Sequence, residues 1–252
     1  MCVLTFLPKE FNNFILTNNR DESGTRPKAL LPEVYLINSQ WVTLPKDARA
    51  GGTWIATSAD FTLCLLNGAY VNHVHKPPYR QSRGKVILDF FESCNLQKFT
   101  KNYQFEGIEP FTLIVLDTRK NLIMSEIRWD SEVVFLEEKN AAQAHIWSSA
   151  TLYSPQVIAQ REVWFAEWLS QYPEQNYTSA QALDFHKNAG NGDAENDLKM
   201  NRNGELFTQC ITQINRVEGK SLMVFEDLCL EVDNSQTYHN LTNRFPLKTG
   251  IS

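Results

Sequence analysis

The chain has 252 residues, 42% of them hydrophobic and 21% charged, with a formal charge of −5. This composition supplies a full core and gives no basic footprint for nucleic acid or an anionic membrane surface. No apolar run of about 18 residues is present, so no membrane span is expected, and the first twenty residues lack the basic start of a signal peptide.

In chain order, apolar alternation predicts strands over 2–7 and 13–18, paired as a hairpin with its turn near "PKEFN". Gly51-Gly52 reads as a tight turn into a strand over 53–58, with Trp54 in the core or lining a pocket, and lacks the context of a phosphate-binding loop. A strand over 61–66 follows the short turn "TSAD". "SRGKVILDFFESC", starting near Ser82, places Val86, Ile87, Phe90 and Phe91 on one helical face.

Strands over 111–117, 121–127 and 132–136 come next, then a candidate near 144–148. Ser154 as N-cap and Pro155 at the first helical position open a second helix, and Thr178 opens a third. Residues 188–205 are polar and Gly/Asn-rich; the EF-hand offsets are not met, so a solvated loop is expected. Strand candidates near 208–217 and 220–228 complete the pattern. Hairpins in runs, broken by a few amphipathic helices, predict an α+β fold with an antiparallel core, read as one domain over 1–252.

Five widely spaced cysteines, Cys2, Cys64, Cys94, Cys210 and Cys229, form neither a disulfide framework nor a zinc pattern. Thiols in a cytoplasmic protein are expected. Cys2 differs by position. If Met1 is removed, one residue carries a thiol and a free amine that titrates near neutrality, so nucleophile and base come together. Such a site needs a carboxylate for the amine, a cation for the thiolate and neutral donors for an oxyanion. The predicted hairpin returns beside Cys2 just after Asn18, which makes Arg20 and Asp21 the candidate cation and carboxylate. A solvated Arg-Asp-Glu loop and a merely tolerated small residue at position 2 are the structural alternatives.

Taken together, Cys2, Asn19-Arg20-Asp21-Glu22 followed by Arg26-Pro27, "GGTWIATS" at 51–58, "LLNGAY" at 65–70 and "SSATLYSP" at 148–155 resemble the NRDE family, the transport and Golgi organisation 2-like proteins. The resemblance implies an N-terminal nucleophile (Ntn) hydrolase-like αββα sandwich with two packed antiparallel sheets, similar to choloylglycine hydrolases and penicillin V acylases. It implies Cys2 as nucleophile, Arg20 and Asp21 as its charged partners, and Asn67 as an oxyanion donor. Two positions depart from the pattern: Ser149 stands where an Asn is expected, and Gln209, with Thr212 nearby, where an Arg is expected. Asn19, Trp54, Ser149 and Gln209 complete the set as candidate ligand-binding residues.

Two functions follow as expectations. One is hydrolysis of a non-peptide linear amide, with a small-molecule substrate and no cofactor. The other, from a different class, is a carrier of a hydrophobic ligand such as haem or lipid, consistent with six Trp and fifteen Phe. His73 and His75 share a face only if their stretch is a strand; with no third ligand nearby and "KPPYR" following, exposed histidines rather than a metal site are expected.

Overall fold

The computed structural model describes residues 3–229 and 241–246; Met1 and Cys2 lie outside them. A hairpin of β1 (Val3–Pro8) and β2 (Phe14–Ser23) opens the fold, its turn using Phe11 and Asn12 at positive φ. β3 (Leu30–Ile37) and β4 (Gln40–Lys46) form a second hairpin, followed by β5 (Ile55–Thr57) and β6 (Phe61–Asn67). Helices α1 (Lys85–Ser93) and α2 (Leu96–Asn102) precede β7 (Phe111–Asp117), β8 (Ile123–Trp129), β9 (Val134–Lys139) and β10 (His145–Ser148). The remainder comprises α3 (Pro155–Ser170), α4 (Ser179–Asn188), β11 (Asn201–Arg202), β12 (Leu206–Val217), β13 (Lys220–Asp227) and β14 (Leu241–Pro246).

The strands make two antiparallel sheets. One runs β10-β1-β2-β12-β13-β14, with β11 on β12; the other runs β3-β4-β5-β6-β7-β8-β9. Leu4, Phe6, Phe14 and Leu16 pack against Ile55, Leu66, Ile114 and Met124 between the sheets. On the outer face of the second sheet, Leu63, Leu65 and Leu113 meet Val86, Ile87, Phe90 and Phe99 of α1 and α2. On the outer face of the first, Val3, Leu7 and Ile15 meet Phe165, Ala182 and Phe185 of α3 and α4. The layers are therefore helix, sheet, sheet, helix, the αββα sandwich. Each fully buried Leu or Phe contributes about 1.5–3 kcal/mol, and the period-two alternation of β1 and β2 feeds two cores at once.

The helix starts follow the sequence signals. Ser154 accepts from the Val157 amide, and Thr178 with Gln181 makes a full capping box. The predicted polar loop at 188–205 is not simply solvated: it contains β11, and the carbonyls of Asn196 and Asp197 hold the buried Arg161 guanidinium. Leu198 and Met200 from the same stretch are buried as well. Among the described residues no helix is long and apolar enough to cross a membrane.

Candidate active site

Alternation along β2 decides where each polar side chain goes. Odd positions Ile15, Thr17, Asn19 and Asp21 face the α3 and α4 side, whereas Phe14, Leu16 and Arg20 face the other sheet. Neighbours in sequence are thereby separated. Val3 pairs with Asn19, so β2 continues through Arg20 and Asp21 past the described start of β1.

Arg20 is buried and multiply held. It donates to Asp47 at 2.7 Å and to Glu22 at 3.4 Å, donates to the Gln209 amide oxygen, and lies 4.8 Å from the Trp54 ring. Gln209 reaches it through a β-bulge: Asp21 pairs with Thr208 and Arg20 with Cys210, leaving Gln209 extra and re-aimed. The residue standing where an Arg is expected therefore serves as a neutral acceptor for Arg20.

Asp47 is set by its own turn. Its carboxylate accepts from the Arg49 and Ala50 amides, with Gly51 at positive φ closing the turn, and from Arg20, and it forms an ion pair with Arg26. Burial alone would raise its carboxyl, but the Ala50 amide, Arg26 and Arg20 outweigh this and hold it below the ordinary carboxylate range. Gly52 has no room for a Cβ, which would stand 2.5 Å from the Gly84 carbonyl carbon. The glycine pair thus lets the β5 lead-in touch the start of α1.

A cleft of about 380 Å³ opens here, lined by Arg20, Trp54 and Asn67 together with Glu22, Arg26, Asp47, Arg83 and Glu109. Trp54 both joins the inter-sheet core and borders this cleft. Asn67 ends β6, and its carbonyl accepts from the Ser149 hydroxyl at 2.8 Å. A Cβ on Gly68, at φ +83°, would meet the Thr151 hydroxyl at 2.6 Å, so "LLNGAY" and "SSATLYSP" lie against one another. Ser149 is a buried tether for the end of β6 rather than a lining residue.

The remaining candidates fall elsewhere. Asn19 does not reach the cleft: it donates to the carbonyls of His186 and Leu198 and contacts His186 Nδ1 at 2.7 Å. Asp21 is buried on that same side, accepting from Tyr153 and Thr208. His75 is exposed as expected, whereas His73 is partly buried; both bond Glu109 Oε1, at 3.1 and 3.0 Å, while Arg83 pairs with Oε2. Among the described residues no cluster of His, Cys, Asp and Glu fits a metal ion.

Burial pushes the thiols of Cys64, Cys94 and Cys210 up, and that of Cys229 up to about 11. None of these four is an activated thiolate. His186, buried and held down to about 3, is neutral, and no hydrogen bond joins a described cysteine to a histidine. Cys2, the fifth thiol, lies outside the described residues.

Of the residues singled out in the sequence, Arg20, Trp54 and Asn67 line one cleft. Sequence reasoning assigned no role to Asp47, Arg83 or Glu109; the "DARAGG" turn was the available signal for Asp47, whereas Arg83 and Glu109 meet only through tertiary folding.

Penicillin V acylase from Agrobacterium tumefaciens has a similar structure, with a TM-score of 0.53 at 10% sequence identity over 91% of this chain and 84% of that one. At that identity the likeness establishes the fold, an Ntn-hydrolase fold. No curated protein matches the sequence. Residues 1–242 match the pattern described as Transport and Golgi organisation 2, and the chain belongs to that family.

Proposed function

We propose that the protein hydrolyses a small non-peptide linear amide, with Cys2, freed by removal of Met1, as the nucleophile and its α-amine as general base. The observation that carries this reading is the convergence of Arg20 from one sheet and Asn67 from the other on a single cleft at the end of the opening hairpin. The raised thiols of the four described cysteines support Cys2 as the reactive one.

In this mechanism the amine takes the thiol proton, and sulfur attacks the amide carbon. The Asn67 side chain receives the oxyanion, and collapse passes the proton to the leaving amine and leaves a thioester. Water, deprotonated by the same amine, attacks the thioester, and the proton returns to sulfur as the acid departs. Arg20 favours the thiolate, Asp21 holds the amine, and Asn19, Ser149 and Gln209 act from behind as supports rather than as ligand contacts. Four free thiols among the described residues fit a cytoplasmic setting, and the central core packed between both sheets fits one domain.

Intact mass of the native protein and an acyl-amide panel test the proposal. Loss of Met1 and hydrolysis abolished in Cys2→Ala are expected; retained Met1, or equal rates in both proteins, refutes it.

A second reading, a carrier of a hydrophobic ligand, draws support from one observation. At the other end of β2 a groove of about 1150 Å³ is bordered by Phe11, Phe14, Ile15, Tyr177, Val217 and Leu222. The charged cleft is a poor host for such a ligand, so the carrier function belongs to this groove. Saturable binding of an apolar fluorescent probe, lost in Val217→Glu without loss of amide hydrolysis, would assign it there.

A further inference from the structure

Helix α1 begins in the wall of the cleft, against the usual electrostatics of a helix start. Gly84 is its N-cap, no side chain caps it, and its first turn holds no acidic residue. Arg83 and Lys85 flank that glycine instead, at the end where the helix dipole disfavours cations. Gly84 lines the cleft, and its carbonyl accepts from the Thr53 amide at 2.9 Å. That bond seats the helix start one residue from Trp54.

The two cations differ in their partners. Arg83 pairs with Glu109 at 3.0 Å, whereas Lys85 has no ion pair among the described residues. Lys85 Nζ reaches back over the glycine turn, 3.7 Å from where a Cβ on Gly51 would stand. The other arginines of the cleft are matched, Arg20 and Arg26 each pairing with Asp47 and Glu22. Lys85 therefore brings an uncompensated positive charge to a cleft whose lining is otherwise balanced.

Trp54 supplies an independent observation. It lines the same cleft and is 2% exposed, and among the described residues its Nε1 donor has no acceptor. A buried donor left without an acceptor costs about 1–3 kcal/mol. The Arg20 guanidinium over its ring is itself a donor and cannot relieve this. The vacancy is accounted for if the acceptor arrives with a ligand.

We propose that the cleft binds a ligand bearing one carboxylate, with that group at the start of α1, Lys85 as its counter-charge and Trp54 Nε1 donating to an oxygen of the same molecule. A single negative charge matches the one unpaired cation, whereas a dianion exceeds it. The inference goes beyond amide hydrolysis and stands on cleft residues alone. Where the hydrolase proposal also holds, the substrate is an amide that carries a carboxylate.

The test is titration of the full chain with butyrate at pH 7, read by NMR from the Trp54 indole N–H, which is identified by its absence in Trp54→Phe. Butyrate shifts this resonance saturably, and its uncharged isostere, methyl propyl ketone, binds at least fivefold more weakly. Lys85→Gln weakens butyrate about fivefold, the loss of roughly 1 kcal/mol of charge pairing, while Lys85→Arg stays within twofold of the wild type. No saturable shift, equal affinity for butyrate and the ketone, or unchanged affinity in Lys85→Gln overturns the inference. Inorganic phosphate binding more tightly than butyrate overturns the carboxylate assignment. The comparison of butyrate with the ketone uses the wild type, so it decides the matter even if Lys85→Gln does not fold. Retention of Met1, or equal hydrolysis by Cys2→Ala, removes the hydrolase proposal and leaves this binding result standing.

Discussion

Arg20 donates a 2.7 Å hydrogen bond to Asp47 across the gap between the two sheets. The pair ties the opening hairpin to the turn that precedes β5, and Arg26 joins it at 3.1 Å from Asp47. Three of the cleft's charges therefore form one network. Arg20 and Asp47 are too well buried for their bond to be a screened surface pair.

Among the described residues, Asp47→Asn removes the main counter-charge of a buried guanidinium and leaves Glu22 at 3.4 Å. The expected loss is about 2 kcal/mol, somewhat below that of a fully isolated buried pair because Glu22 remains. Urea denaturation at pH 7 measures it. Because the folded carboxyl titrates below its unfolded value near 3.9, this contribution is complete above about pH 4 and disappears as pH falls further. The variant and the wild type should converge in stability toward pH 2.

His186 gives a second pH dependence in a different window. Burial, with a smaller contribution from Arg161, holds its ring at about 3, and it contacts Thr5 at 2.8 Å and Asn19 at 2.7 Å. The unfolded chain binds a proton near pH 6.5 that the folded chain refuses, so stability is full above 6.5 and declines as pH falls toward 3. The slope from this one group approaches about 1.4 kcal/mol per pH unit. Midpoints of urea unfolding between pH 7 and 5 should fall in the wild type and fall less in His186→Asn.

Much of this architecture is written in local sequence signals, and the omissions have physical causes. The hairpin over β1 and β2, the run from β6 to β9 and the caps at Ser154 and Thr178 rest on alternation and capping, which act within a few residues. The strands β3 and β4 were not predicted. Each carries a proline, Pro32 and Pro45, and β3 is an edge strand whose register shifts between Leu30 and Glu33. The seven residues of α2 are too few to display a helical period, and β14 has too weak an apolar alternation to stand out. In the site, Arg20, Trp54 and Asn67 were legible as motif residues. Asn19 was misplaced by the same regularity that places Arg20, since adjacent residues of a strand face opposite ways.

Gly68→Ala tests the meeting of the two short motifs beside the cleft. The residue sits at φ +83°, and an added Cβ would approach the Thr151 hydroxyl to 2.6 Å. Backbone strain of about 1–2 kcal/mol adds to the steric conflict. A loss of about 2–4 kcal/mol is expected in chemical denaturation. Combining it with Thr151→Ala should recover the part due to the hydroxyl, while the Thr151 amide at 3.1 Å and the left-handed backbone cost remain.

The cysteines offer a direct measure of which thiol the fold leaves reactive. Cys64 and Cys210 are fully buried, and burial pushes both thiols far above neutrality, so neither access nor ionisation favours attack on an electrophile. Cys229 is partly exposed but raised to about 11, first by burial and then by the nearby Asp227, so at pH 7 only a minute fraction of it is thiolate. Cys94 is partly exposed too, with its thiol raised by burial and by Asp60. Timed iodoacetamide labelling of the native protein at pH 7, followed by peptide mass spectrometry, should therefore modify Cys2 first, Cys94 and Cys229 more slowly, and Cys64 and Cys210 only after denaturation. Raising the pH to 9 should accelerate Cys94 and Cys229 more than Cys2 if the proposed mechanism holds, because a thiol whose proton is taken by its own amine gains less from added hydroxide. Labelling of Cys2 no faster than Cys94 and Cys229 would remove the kinetic basis for a nucleophile at position 2.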